Sequence, residues 1–223
     1  MPVTINGSGS ISGLAVGGLP DGSVDADTLA ANAVTSAKIA NSAVASSKLA
    51  SGVGGKVLQI QKTLVTAQSQ ISCTNGSGLS GSHDSALAVS ITPTSASNII
   101  YINVFAFGEG NATSQARFST RLKKVISGGS TSYFPAALGN RNPIFSKTGT
   151  SNENASNSPD SFAIPNFPDT AGTTSAITYT LQFMYDGGLS SAGQYNLNRI
   201  VADQNSTGYP NFYSWITATE VAA

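Results

Sequence analysis

The 223-residue sequence predicts an all-β fold: a C-terminal antiparallel β-sandwich, jelly-roll-like, over residues 56–223, preceded by an extended, repeat-containing shaft. Three observations carry this reading. From Lys56 onward hydrophobic residues follow a period of two, interrupted by clusters of Gly, Ser, Asn and Pro. Every aromatic residue lies at or beyond Tyr101, so residues 1–55, mainly Ala, Ser, Gly, Val and Asp, cannot build a core alone. Residues 21–50 divide into three ten-residue units that match neither a helical nor a strand period. The boundaries are therefore an N-terminal arm over 1–20, a decapeptide-repeat shaft over 21–55 and a β-sandwich head over 56–223.

The arm, TINGSGSISGLAVGGLP, alternates small polar residues with Ile5, Ile11, Leu14, Val16 and Leu19. Its glycines and its alternation suit an extended segment that gains order by docking on a partner, and those five residues are the candidate anchor. A disordered tail is the open alternative.

The repeats read DGSVDADTLA, ANAVTSAKIA and NSAVASSKLA and align without a gap. Val24, Val34 and Val44 coincide, as do Leu29, Ile39 and Leu49, so a large apolar side chain returns every five residues. Strings such as SAKIA and SSKLA favour a helical turn, with Asp25, Thr35, Ser36 or Ser46 available as caps. One copy of such a unit buries almost nothing. Its register makes physical sense when identical chains wrap together and place these six residues on a shared axis, which predicts a homotrimer. A flexible Ala/Ser linker would share the composition but has no reason to keep the register. Fully extended, thirty residues span at most about 100 Å, so the shaft is a short spacer.

The head opens with KVLQIQKTLVT, in which Leu58, Ile60 and Leu64 share a face. SALAVSITP sets Leu87, Val89 and Ile91 against Ser90 and Thr92, and NIIYINVFAF is apolar at nearly every position, as in a strand covered on both sides. ARFSTRLKKVI alternates Phe118, Leu122 and Ile126 with Arg117, Arg121 and Lys123. AITYTLQFMY sets Ile177, Tyr179, Leu181, Phe183 and Tyr185 against Thr178, Thr180 and Gln182, and YNLNRIVA and FYSWITATEV add two further strands. Trp215, inside the last, is expected in the core. The interval from Gly139 to Ser175 shows no clear strand pattern and reads as a packed or exposed loop.

Composition narrows the function. Only 10% of residues are charged, and 11 basic and 11 acidic side chains cancel. Without a basic run there is no electrostatic signature of a nucleic-acid partner or a membrane surface, and no apolar run of spanning length predicts membrane insertion. Ser, Thr, Asn and Gly outnumber charged residues more than fourfold, which leaves a surface wetted by hydroxyls and amides. Sparse charge also suits identical chains packed side by side. Cys73 is the single cysteine, so no intrachain disulfide forms and its expected role is that of a small buried hydrophobe. No basic n-region precedes an apolar stretch near the N-terminus, so the sequence does not predict a secretory signal.

Catalysis is not expected. His83, the single histidine, sits in SGSHDSA beside Asp84 and Ser85, and neighbours in a loop do not converge as a triad does. Asp160, Asp169, Asp186, Asp203, Glu109, Glu153 and Glu220 are scattered, mostly in turn-like contexts, where loop formation outweighs a paired glycosidase role. One His and one Cys rule against a zinc site and leave only a weak case for calcium in the Asp/Asn-rich loops, so the sequence points to no catalytic residue, no assigned metal and no cofactor. Binding needs only exposed aromatics and hydrogen-bonding groups on a rigid frame. Tyr133, Phe134, Arg141, Phe145, Tyr209, Phe212 and Tyr213 lie in or beside predicted loops and are the candidate receptor contacts.

The chain resembles fibre proteins of marine tailed bacteriophages, especially those of cyanobacterial phages. The resemblance is carried by GLPDGSVDADTLAANAVTSAKIANSAVASSKLA, then GKVLQIQKTLVT, ALAVSITPTSASNIIYINVFA, PDTAGTTSAITYTLQF and SWITATEV, in that order over nearly the whole chain. It implies a structural fibre on the surface of a virion, homotrimeric, joined to other virion proteins of tail or capsid through its N-terminus. The head would then recognise a host-surface glycan or protein. A capsid-decorating fibre or tail adaptor with a purely structural role is the alternative. The family pattern commonly ends its last strand with an apolar pair before the acidic residue, where this chain has Ala218, Thr219 and Glu220, so the resemblance does not extend to how that strand packs.

Overall fold

The computed structural model describes residues 4–5, 11–12, 29, 31–40, 43–45, 48, 56–73, 82–111, 118–136, 144–147, 160–185, 193–201 and 212–223. The chain divides into two units, Met1–Gly54 and Gly55–Ala223.

In the first unit, β1 (Thr4–Ile5) pairs antiparallel with β2 (Ile11–Ser12), placing Ile5 opposite Ile11. The ten-residue period persists in the backbone. Lys38 N–H donates to Thr35 C=O at 2.9 Å within a 3-10 turn over Ser36–Lys38, and Lys48 N–H donates to Ala45 C=O at the same distance. Thr35 occupies the N-cap position, yet its side chain makes no capping bond. Leu29, Val34, Ile39 and Val44 are all exposed in the single chain. Leu14, Val16, Leu19, Val24 and Leu49 fall outside the described residues.

The second unit is antiparallel β-structure. Its strands are β3 (Val57–Val65), β4 (Ser69–Cys73), β5 (Ser82–Ile91), β6 (Ile99–Asn111), β7 (Phe118–Ile126), β8 (Thr131–Phe134), β9 (Ser146–Lys147), β10 (Asp160–Thr170), β11 (Ile177–Tyr185), β12 (Gly193–Leu197) and β13 (Ser214–Val221). The long β6 organises a six-stranded sheet. β10 pairs along one edge, and β13 followed by β12 pairs along the other. β3 and β4 in turn border β13 and β12. Asn198 fastens the break between β3 and β4 by donating to Val65 C=O at 2.7 Å and Ala67 C=O at 3.1 Å. The facing sheet runs β5-β11-β7-β8, with β9 also on β7. Taking each broken pair as one strand, both sheets are four strands wide and the order is that of a jelly roll.

Alternation places the core between the sheets. Ile100, Ile102, Val104 and Ala106 of β6 face inward, as do Leu87, Val89 and Ile91 of β5 and Ile177, Tyr179, Leu181 and Phe183 of β11. Four rings join the sheets at one end: Phe183 stacks on Tyr195 with centroids 4.1 Å apart, while Phe162 and Phe118 meet Tyr195 edge-on at 5.6 Å each. Cys73 is buried, and desolvation pushes its thiol up to about 12, leaving a small apolar group.

Several elements differ from the sequence reading. The interval from Gly139 to Ser175 contains β10, an eleven-residue strand. Its alternation is broken by Pro165, Pro168 and a bulge at Asn166 with φ +47, and as an edge strand it tolerates prolines that a central strand would not. Trp215 is not in the core. Ser214, Ile216, Ala218 and Glu220 take the inward positions of β13, so Trp215 lies on the outer face, stacked on Phe105 at 4.6 Å. His83 and Asp84 belong to strand β5 rather than to a loop. Glu109, Asp160, Asp169 and Glu220 likewise lie in strands, not turns, and Glu109 and Glu220 are buried.

Two carboxylates serve as internal fasteners. Asp169 pairs with the inward-facing Lys124 at 2.7 Å and accepts from the Tyr179 hydroxyl, while Lys124 also donates to Thr170 and Ala171 C=O at 3.2 Å. Glu220 ties the last strand to the β5–β6 connection. It accepts from Thr94 N–H at 2.7 Å, Thr94 Oγ1 at 2.8 Å, Asn98 Nδ2 at 2.6 Å and Gln59 Nε2 at 2.6 Å. Ala218 is buried beside it, so the final strand packs through a small residue and a satisfied carboxylate.

Burial alone would raise the Glu220 value, but the bonds from Asn98, Gln59 and Thr94 outweigh it and hold the carboxyl at about 2 instead of 4.5. A value lowered by folding means the carboxylate stabilises the head fully above pH 4.5 and loses this contribution as pH falls toward about 2. Glu220→Gln should cost about 2–4 kcal/mol in urea unfolding at pH 7. The loss should shrink in the acid range, where wild type loses the same stabilisation.

Candidate functional site

The outer face of the five-stranded sheet carries a row of polar groups set by strand register. Gln182 of β11 lies opposite Asp84 of β5 on one side and Arg121 of β7 on the other. Arg121 Nε donates to Gln182 Oε1 at 2.7 Å, and Gln182 Nε2 donates onward to Asp84. Lys123, two residues along β7 and thus on the same face, pairs with the second oxygen of Asp84. At the far end, the Arg121 guanidinium lies 3.9 Å from the Tyr133 ring centroid, a cation–π contact.

Arg121 and Gln182 are buried within this row, whereas Asp84 and Tyr133 stay open to solvent, Tyr133 with 39% of its surface exposed. Desolvation raises the Asp84 value, yet the bonds from Lys123 and Gln182 and the charges of Lys123 and Arg121 prevail, holding the carboxyl below its ordinary range. Asp84 therefore remains an anionic acceptor at neutral pH. Burial lowers the Arg121 value, with Tyr133 and Asp84 opposing it. The geometry offers planar hydrogen-bonding groups locked in one orientation beside an exposed ring.

A two-residue irregularity in β5 helps aim Asp84. The register shifts between the partners of Thr180 and Gln182, and the buried Ser85 hydroxyl fills the gap by donating to Leu181 C=O at 2.7 Å and accepting from Leu87 N–H at 3.2 Å. Ser85 thus satisfies backbone groups that the shift would otherwise strand.

The seven aromatic and basic candidates do not form one site. Tyr133 joins the polar row. Phe134, its neighbour, points the opposite way and packs on Phe167 at 5.2 Å, and Phe145 meets the same ring edge-on at 4.9 Å, so both belong to the rim of the core. Phe212 stacks on Phe107 at 3.8 Å on the outer face of the other sheet, with the exposed Tyr213 next in sequence. Arg141 and Tyr209 fall outside the described residues. Sequence reasoning misses Asp84, Arg121, Lys123 and Gln182 as a group. Their outward alternation is visible, but which strands lie side by side is not a local property.

Among the described residues no three His, Cys, Asp or Glu side chains cluster as a metal site, and no helix is long and apolar enough to cross a membrane. No protein-family model matches the chain, and no curated protein matches it. Among solved structures it is similar to a chain in the structure of infectious bursal disease virus Gx strain, at 12% identity and a TM-score of 0.36. That alignment covers 74% of this chain and 37% of the viral one, so the chain spans little more than a third of that neighbour.

The row separates structural from surface roles. Arg121→Met should cost about 1–3 kcal/mol in urea unfolding, because it leaves Gln182 without its donor. Tyr133→Ala should cost about 1 kcal/mol or less, the worth of an exposed cation–π contact.

Proposed function

We propose that this chain is a structural fibre of a phage virion, a homotrimer whose head recognises a host-surface glycan through the Asp84–Gln182–Arg121–Tyr133 row. One observation carries the reading: pre-oriented planar polar groups beside an exposed aromatic ring, on a rigid sheet. Sugars offer arrays of hydroxyls and an apolar ring face, and such a row answers both. Hydroxyls bond to the free lone pairs of Asp84 and to Lys123, while the ring face stacks on Tyr133.

The low charge of the chain supports the same reading, since an uncharged polysaccharide needs no electrostatic steering. Each site would bind weakly, and three sites per fibre with many fibres per particle would raise avidity. The N-terminal arm would join the fibre to its particle, and the decapeptide register would hold three chains on one axis. The aromatic outer face of the six-stranded sheet favours a second reading, a decorating or adaptor fibre whose head contacts protein alone.

Purified full-length chain applied to a panel of immobilised bacterial surface polysaccharides tests the proposal. Saturable binding to at least one of them, displaced by the same polysaccharide in solution, is the expected result. Tyr133→Ala and Asp84→Asn should each weaken it about tenfold or more, in line with the loss of one anchoring contact. Binding unaffected by both changes would remove the row as the site, and no binding to any polysaccharide would favour the adaptor reading.

A further inference from the structure

The two outer faces of the head differ in chemistry. Opposite the polar row, the outer face of the six-stranded sheet carries Ile60 and Leu64 from β3, Trp215 from β13 and Tyr101, Phe105 and Phe107 from β6. Register assembles them into bands. Leu64, Trp215 and Phe105 lie side by side across three strands, and Ile60, Thr219 and Tyr101 form a parallel band. Between them runs a polar band of Lys62, Thr217 and Asn103.

This face lacks a cover that its sequence calls for. β6 is apolar on both sides as far as Phe107, but over that stretch the facing sheet encloses only Ile100, Ile102, Val104 and Ala106, and Tyr101, Phe105 and Phe107 are half-buried. Ile60 is 62% and Leu64 52% exposed, and among the described residues of this unit four of the six exposed large apolar side chains belong to β3.

We infer that a second copy of this chain covers this face, so that the heads of the trimer pack through the six-stranded sheet around a common axis. The inference rests on the trimer proposed above and names its contact surface. Four strands spaced about 4.8 Å apart and about 30 Å long present roughly 570 Å2 per copy, and three such faces closed on one axis remove roughly 1,700 Å2 over the whole trimer, to which the shaft repeats add their own contacts.

The face's chemistry selects the occupant. Phe105 and Trp215 stack on each other, and Phe107 on Phe212, so these rings offer a sugar few free faces and few hydrogen-bonding groups. An apolar protein surface suits them. Among the residues of these bands Lys62 carries the only charge, and it stands on the edge strand β3. A copy of the same chain also gives the exposed Leu29, Val34, Ile39 and Val44 of the first unit the same partner, without invoking a second protein.

Trp215 is the chain's single tryptophan and therefore reports on this face directly. Full-length wild type, Ile60→Glu/Leu64→Glu and Val34→Ser/Ile39→Ser should be compared by light scattering and by acrylamide quenching of Trp215 across a dilution series. Wild type should be a trimer whose indole becomes more quenchable as it dissociates. The face variant, altered only at exposed positions, should keep wild-type far-ultraviolet circular dichroism while its dissociation midpoint rises about tenfold or more.

A face variant that stays trimeric, with a dissociation midpoint like wild type, overturns the face while leaving the trimer standing. Loss of the trimer only in the repeat variant, with quenching independent of assembly, likewise overturns the face alone. A wild type monomeric at every concentration overturns both.

Discussion

The contact between Phe183 and Tyr195 across the two sheets is the interaction on which the rest of the head depends. It fixes the spacing of β11 against β12, and the edge-on rings of Phe118 and Phe162 hold that spacing from β7 and β10. With the sheets clamped, side-chain parity is set for every strand. The residues of β11 that point away from the aromatic cluster, Thr178, Thr180 and Gln182, must then lie on the outer face with their register partners on β5 and β7. On the opposite sheet the same constraint turns Phe105, Phe107 and Trp215 outward because Ala106, Gly108 and Ile216 are needed inside. The two outer surfaces are thus consequences of one internal packing arrangement.

The alternation of the second unit is legible in the sequence wherever it runs unbroken. Ile177, Tyr179, Leu181 and Phe183 sit inward as their period demands, as do Leu87, Val89 and Ile91; β3, β7 and β13 fall within the predicted strings, while β6 runs past its string to Asn111 and β12 begins before its own, at Gly193. β10 is not legible because two prolines and a left-handed Asn166 interrupt its period, and an edge position that excuses them is a tertiary fact. Trp215 misleads by its size: a large ring suggests a core, but parity outranks bulk once Ile216 and Ala218 are committed inward. Lys124 and Glu220 show the same limit for charge. Each occupies an inward position because a partner distant in sequence satisfies it, Asp169 in one case and Thr94 with Asn98 in the other.

The candidate site illustrates why local motifs are a weak guide to a β-sheet surface. Tyr133 stands out in the sequence for its loop-like context, yet its meaning comes from Arg121, Gln182 and Asp84, which lie on three different strands and share no sequence motif. Only strand order brings them into one row. The decapeptide repeat is the converse case, since its period is local and reappears as paired turn hydrogen bonds ten residues apart.

We propose that the second unit turns one outer face to its own copies and the other to a ligand. Hydroxyl-radical footprinting of the assembled full-length protein, followed by mass spectrometry, tests this directly. Leu64, Trp215 and Phe212 are expected to be protected relative to the dissociated chain, while Tyr133 is modified equally in both. Protection of Tyr133 on assembly, with Trp215 as reactive as in the dissociated chain, would contradict the claim.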